Sequence, residues 1–494
     1  MNSRAYTVLA LCSTLSAWAA DPPASTGGFG ITASNVVMPL LRGPSPSVVI
    51  VGGLDGTEDS VGAARREALR RGYTALLHRF TDPASAVFPP TGDAYAGVHG
   101  EAHYLWRYLL QRAPDAVVII AADPSAAPGA ARLAAALEGK IPAQIVSVNG
   151  AAAALRTKTR PASPWRQEIE RRLARSPGEV ARQLAVHYGH TLEDAVYIPA
   201  MAVAGRLRLD PTGALASVEQ LAAPYASGAK ESIPGAKASA SHQSGHLLFG
   251  ELYKLTNKPV YLDLVKKAAG MAFDANGSPK PAMPLHNEMS DSFFMGVPIL
   301  AQAGRLTGET RYYDMAQRHF QFMQKLDLRR DGIYRHSPLD EAAWGRGNGF
   351  PALGMALALS ELPAAHAARA EILTAFQSHL RALLRHQDDL GAWHQVIDRP
   401  ESYPEYTATA MIGIALTRGL REGWIKGSAF EVARDQAWKA ILRRTSADGV
   451  LLDVCASTGK QKSLRDYYDR VAIYAKDPRG GAMGLYFATE MMTR

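Results

Sequence analysis

From Glu179 onward the chain carries almost no strand signal, and this run of helix after helix restricts the possible folds more than any other feature. Apolar residues recur at helical spacing in twelve segments closed by Gly, Pro or Asp-Gly punctuation. They start near Glu179, Leu192, Val218, His242, Tyr261, Asp291, Tyr312, Gly345, Ala367, Glu405, Phe430 and Gly480. Those near Asp291, Gly345, Glu405 and Gly480 are rich in Gly, Ala, Met and Phe and poor in charge. Those near Tyr261, Tyr312, Ala367 and Phe430 carry charge on one face. A helix that is apolar all round must be buried, whereas an amphipathic one covers it from outside. Six inner and six outer helices predict a mainly α fold, an (α/α)6 barrel over residues 175–494.

The links Leu255-Thr256-Asn257-Lys258-Pro259-Val260-Tyr261 and Leu306-Thr307-Gly308-Glu309-Thr310-Arg311-Tyr312-Tyr313 resemble each other, as expected for repeated helical hairpins. Short links of this kind put every inner-helix N-terminus at one end of the barrel. Free N–H groups and partial positive charge there suit a carboxylate-bearing ligand. Polar residues do gather at these starts: His242 and Gln243, His286 to Asp291, Trp344 to Asn348, and Glu405 with Thr407.

Asp291 precedes a strongly apolar helix, Ser292-Phe293-Phe294-Met295-Gly296-Val297-Pro298. It reads either as an N-cap accepting backbone N–H bonds or as a carboxylic acid that delivers a proton. Ala343-Trp344-Gly345-Arg346-Gly347-Asn348-Gly349-Phe350 sets an indole, a guanidinium and a carboxamide at another helix entrance. Such groups stack on sugar rings and pair with carboxylates.

Before the barrel, residues 45–150 alternate short β-branched runs with helical stretches and predict a small α/β module. Candidate strands are Ser47 to Val51, Ala116 to Ala121 and Gln144 to Val148. Candidate helices are Gly62 to Arg71 and Gly100 to Arg112. Residues 1–20 have a signal-peptide layout, which predicts a periplasmic or secreted protein; Leu11 before Cys12 argues against a lipid anchor. Without its leader the chain would keep only Cys455, so neither a disulfide framework nor a thiolate metal cluster is expected. The formal charge of +8 arises from 54 basic and 46 acidic residues spread along the chain. An anionic substrate fits this better than nucleic acid, and no membrane span is expected.

Several ordered motifs together carry a family resemblance: Asp291-Ser292-Phe293-Phe294-Met295, Asp331-Gly332-Ile333-Tyr334-Arg335-His336, Trp344-Gly345-Arg346-Gly347-Asn348-Gly349-Phe350, and Tyr403-Pro404-Glu405-Tyr406-Thr407-Ala408-Thr409-Ala410-Met411. With the stretch from Asp448-Gly449 to Cys455, they make the region from Glu179 to Arg494 resemble glycoside hydrolase families 105 and 88. These are the unsaturated rhamnogalacturonyl and unsaturated glucuronyl hydrolases. The resemblance implies removal of a terminal 4,5-unsaturated uronic sugar from lyase-generated pectin- or glycosaminoglycan-like oligosaccharides, without metal or cofactor. Asp291 would protonate the double bond and then serve as base for water. His336 and His286 would be the histidines near the substrate, Trp344 and Arg346 the sugar-stacking and carboxylate-binding pair, and Tyr197 a tyrosine on an early inner helix. His242, Gln243, Asn348, Phe350 and Glu405 complete the candidate substrate-binding set.

The chain departs from the family pattern at three positions. Gln243 stands where relatives carry an aspartate, Met289 where many have an aromatic residue, and Phe350 where Trp is frequent. These changes imply an altered pocket: a different aglycone, a modified sugar, or a glycan-binding pseudoenzyme. In the N-terminal module, Val51-Gly52-Gly53-Leu54-Asp55-Gly56-Thr57-Glu58 resembles the metal-binding segment of zinc carboxypeptidase-like enzymes, with Asp55 in place of the histidine. A metal-free module is the expectation. A metallohydrolase acting through Asp55 and Glu58 is the competing one, and His99 and His103, at i and i+4, are a further candidate metal pair.

Overall fold

The computed structural model describes residues 25–89, 94–95, 100–156 and 160–493. The expected leader, residues 1–20, lies outside them, as does His99. Among the described residues no helix is long and apolar enough to cross a membrane.

The N-terminal module is built on strands β1 (Ser25–Ile31), β2 (Val37–Arg42), β3 (Ser45–Gly52), β4 (Tyr73–Leu77), β6 (Ala116–Ala121) and β7 (Ala143–Ser147), with β5 (Ala94–Tyr95) apart from them. The sheet runs β1-β2-β4-β3-β6-β7, with β4, β3, β6 and β7 parallel and β1–β2 an antiparallel edge hairpin. Helices α1 (Glu58–Arg71), α2 (Gly100–Arg112), α3 (Pro128–Leu137) and α4 (Ala151–Ala154) cover it, and α5 (Pro164–Leu173) leads onward. The central strands Val48–Val51 and Ala116–Ala121 are buried throughout, as parallel strands covered on both faces must be. The sheet begins at Ser25, ahead of the expected start at residue 45, since β1 and β2 belong to it. β4, not among the expected strands, lies between β2 and β3.

The barrel follows as α6 (Pro177–His187), α7 (Tyr197–Leu209), α8 (Pro211–Ala226), α9 (Ala240–Gly245), α10 (Leu247–Thr256), α11 (Pro259–Gly270), α12 (Ser292–Thr307), α13 (Thr310–Asp327), α14 (Gly345–Glu361), α15 (Ala367–Leu384), α16 (Tyr406–Arg421) and α17 (Ser428–Arg444). A long excursion carries β8 (Val454–Cys455), α18 (Leu464–Tyr468) and β9 (Ala472–Ile473) before α19 (Pro478–Met491) closes the ring. The inner ring runs α7, α9 with α10, α12, α14, α16, α19 and back to α7, and α6, α8, α11, α13, α15 and α17 pack outside it. This is the expected (α/α)6 barrel.

One inner segment is broken in two at His246. Its Nδ1 bonds the His242 carbonyl at 2.6 Å and competes for that acceptor of the helix ladder. The inner-to-outer links behave as repeats. Asn257 and Gly308 end their helices in the left-handed region (φ 53° and 75°) just before α11 and α13 begin. Val49, Val51, Val117 and Ile119 of the sheet belong to the same buried core as the barrel helices, so the module and barrel share one continuous interior.

Candidate active site

Asp291 sits where the sequence put it, directly before α12, but it does not cap that helix. Its backbone is already helical (φ −50°, ψ −30°) and its side chain accepts no capping bond. The carboxylate instead turns toward His336, whose Nε2 lies 3.2 Å from Oδ2 without the alignment of a hydrogen bond. His336 is wholly buried, whereas the Asp291 side chain keeps 14% of its surface open.

Three contacts hold the histidine. Its backbone carbonyl accepts from Ser290 N at 2.9 Å, tying it to the residue before Asp291. Its ring packs 4.5 Å from Trp344, and its Nδ1 meets Tyr467 Oη at 2.8 Å. Gly347 permits this closeness: a Cβ there would stand 2.9 Å from Ser290 Oγ and 3.5 Å from His336 Cδ2.

Around this pair the structure gathers some of the expected residues. Tyr197, first in α7, sets its ring edge-on to Phe294 and Phe350 at 5.7 and 5.6 Å, and burial pushes its hydroxyl up to about 12. Gln243 is fully buried, with Nε2 donating to Pro284 O at 2.8 Å and Oε1 lacking a protein partner. It thereby braces the loop that leads to Asp291. His286 lies on that loop, its Nδ1 accepting from Glu288 N and its ring against Phe322. Leu285, Asn287 and Glu288 there all have positive φ, so the loop is held in a costly backbone shape. His242 turns its Nδ1 to Ser239, and burial lowers the proton affinity of both His242 and His286.

Five expected substrate contacts have their faces or polar atoms engaged within the protein. Trp344 is 1% exposed, with His336 against it and the Arg346 guanidinium over its ring at 4.9 Å, so neither face is open to a sugar. Arg346 spends its terminal nitrogens on the carbonyls of Cys455 and Ala456, each at 2.6 Å. Asn348 is a buried fastener: Oδ1 accepts from Tyr334 N and Nδ2 donates to Tyr334 O, both at 2.8 Å. Phe350 stacks on Phe294 in the core. Glu405 caps α16, accepting from Thr407 N and Oγ1, Ala408 N and, across the fold, Cys455 N.

Two residues at the site were not foreseen. Tyr467 comes from the excursion between α17 and α19 and offers no local pattern. Asp327 is fully buried at the end of α13, and neither carboxylate oxygen has a hydrogen bond. Burial pushes its proton affinity up to about 8; Asp291 and Glu288 add to the shift, and Arg335 and Lys460 oppose it. A signal was present, because Asp327 continues the apolar stripe of Phe320 and Met323 at helical spacing.

In the N-terminal module the loops after β3 and β6 meet where the parallel strand order reverses, the usual ligand crevice of such sheets. The Asp55 carboxylate fills this position. It accepts from Ser60 Oγ (2.6 Å), Thr57 N and Oγ1, and Ala122 N (2.7 Å); burial raises its proton affinity, but these bonds together outweigh it and hold the affinity below the ordinary range. A carboxylate so engaged is not a free metal ligand, which removes the basis for a metallohydrolase through Asp55. Among the described residues no group of three or more His, Cys, Asp or Glu could hold a metal, and His103 stacks on Tyr104.

Comparison with known proteins adds to this geometry. The model of Glycosyl Hydrolase Family 88 matches residues 227–494, so the α/β module lies outside it. The unsaturated rhamnogalacturonyl hydrolase YesR of Bacillus subtilis is 28% identical over 246 residues, 45% of this chain and 68% of that protein. An unsaturated 3S-rhamnoglycuronyl hydrolase of Alteromonas sp. is 24% identical over 172 residues, 32% of this chain and 42% of that protein. Among solved structures, a family 105 glycoside hydrolase of C. acetobutylicum superposes with a TM-score of 0.57 at 20% identity, over 65% of this chain and 100% of that one. A possible family 105 member from Salmonella enterica gives 0.54 at 21% identity, over 64% and 93%. At these identities the likenesses establish the barrel fold.

Proposed function

The chain belongs to Glycosyl Hydrolase Family 88, and from that membership we propose that it removes a terminal 4,5-unsaturated uronic sugar from oligosaccharides left by a polysaccharide lyase. It is a glycoside hydrolase; the bond it attacks and the residues that attack it are our reading. The observation that carries this reading is the state of Asp291. An acid at a helix entrance ordinarily caps the helix, yet this one leaves the backbone unserved, faces a buried histidine and keeps part of its carboxyl open.

In the proposed reaction Asp291, as the acid, gives its proton to C4 of the C4=C5 double bond, and positive charge develops at C5 and the ring oxygen. Water then adds at C5 while the Asp291 carboxylate takes its proton, which restores the acid. The resulting hemiketal opens and releases the aglycone as an alcohol. One carboxyl thus serves both steps, unlike the paired carboxylates of most glycosidases. His336 holds the carboxylate from the buried side, and the inner-helix N-termini face the uronate with partial positive charge. Tyr197 and His242 supply neutral polar edges for sugar hydroxyls, and Gln243 braces the loop that carries Asp291.

The test is incubation with unsaturated galacturonyl and glucuronyl oligosaccharides, following loss of absorbance of the conjugated double bond. Turnover that falls about a thousandfold in Asp291→Asn is expected, the scale of a lost acid–base group. Saccharide binding without turnover on every unsaturated uronide would replace this reading with a glycan-binding protein.

A further inference from the structure

The excursion between α17 and α19 touches the site on one side and the α/β module on the other. On the site side, the Cys455 and Ala456 carbonyls hold Arg346 and the Tyr467 hydroxyl holds His336. Lys460 reaches Glu288 on the loop before Asp291, at 3.1 Å.

On the module side, four attachments fix the same segment. Asp453, fully buried at a positive φ of 61°, pairs with Arg107 of α2 at 3.2 Å and with Arg444 of α17. Gln111 of α2 also reaches it, at 3.4 Å. Arg465 donates to the Thr32 carbonyl, just past β1, at 2.7 Å. β9 lies between β8 and the module's β5 in a small antiparallel sheet. The module's own ligand crevice is filled by Asp55, so these attachments are the chemistry it offers.

The hydrogen-bond directions at Tyr467 decide what this grip does. Its Oη accepts from Gln461 N at 3.4 Å, and His336 Nδ1, at 2.8 Å, is the acceptor within reach of its own proton. Burial pushes the Tyr467 hydroxyl well above its ordinary range, so it keeps that proton. A neutral imidazole that accepts at Nδ1 carries its hydrogen on Nε2, the atom facing Asp291.

We propose that the N-terminal α/β module is a positioning element of the glycosidase site: by holding the 453–473 segment, it keeps Tyr467 donating to His336 Nδ1, so that the imidazole hydrogen sits on Nε2, 3.2 Å from the Asp291 carboxylate. Tyr467 and Arg465 are positioning residues in this scheme, and neither touches substrate. The proposal rests on the reading of Asp291 as the acid, but the tautomer it asserts can be measured without any turnover.

The experiment uses the full chain, Tyr467→Phe, Arg465→Gln and the double variant, with His336→Gln to assign the His336 signals. In histidine labelled with nitrogen-15, wild type should show His336 as the Nε2–H form, and Tyr467→Phe a mixture of both tautomers. Arg465→Gln should shift the same signals part of the way. On an unsaturated uronide, Tyr467→Phe should lower kcat about 10- to 100-fold, the usual cost of losing an orienting partner, with KM changed less than about threefold. The Arg465→Gln loss should largely disappear in the Tyr467→Phe background, because both act through one contact. A wild-type Nδ1–H tautomer, or kcat losses that multiply in the double variant, would overturn the relay. An Nε2–H tautomer in a protein inactive on every unsaturated uronide would overturn the proposed reaction and leave the relay standing.

Discussion

Asp327→Asn should make the protein more stable at neutral pH, because the acid it removes is buried with no partner. The folded protein holds the Asp327 proton up to about pH 8, whereas the ordinary aspartate value is 3.8. Between those values the folded state binds a proton that the unfolded chain has released. Stability from this group is therefore full at low pH and falls as pH rises, by about 1.4 kcal/mol per pH unit. From about pH 5 to about pH 7 the loss amounts to roughly 3 kcal/mol. For a chain of 494 residues the entropy of unfolding makes 1 kcal/mol worth about 1 °C in Tm. Asparagine has the same shape and cannot titrate. The variant's Tm relative to wild type should thus rise by about 2–3 °C across that interval. The assay is thermal unfolding followed by tryptophan fluorescence at matched ionic strength. A Tm difference that stays constant with pH would refute the account, because the buried acid would then be ionised or solvated throughout.

Glu405→Gln, which swaps an oxygen acceptor for a donor facing the N–H groups of Thr407, Ala408 and Cys455, should cost about 2–3 kcal/mol in denaturant unfolding and leave KM nearly unchanged. A raised KM without lost stability would restore it as a substrate contact. Gly347→Ala forces the Ser290 hydroxyl aside and presses on the Trp344 ring, and should lower kcat about tenfold while the circular dichroism spectrum stays that of wild type. Dialysis against a chelator should leave turnover within about twofold, because the proposed steps run through Asp291 and His336 alone; a zinc-restorable loss would reverse this.

Twelve helices, their alternation and the place of Asp291 at an inner-helix entrance were all legible, because helical periodicity and end signals are written within a few turns of local sequence. Strands carried less. β3, β6 and β7 announced themselves by β-branched runs, whereas β1 is a strand through its hairpin with β2, and β2 is held in the sheet by β4, more than thirty residues on.

At the site the division is sharper. The sequence put Trp344, Arg346, Asn348 and Glu405 at the entrances of inner helices. Only the tertiary structure decided which of them are already spent. Arg346 is claimed by carbonyls 109 and 110 residues away and Glu405 by an N–H 50 residues away, and no local pattern encodes such partners. Asp291 carries the opposite lesson. Its position before an apolar helix fits a cap and an acid equally, and what separates them is a dihedral angle together with the approach of His336 from the next hairpin. Periodicity places a side chain on an element; whether its polar atoms are satisfied depends on what the rest of the chain brings to meet them.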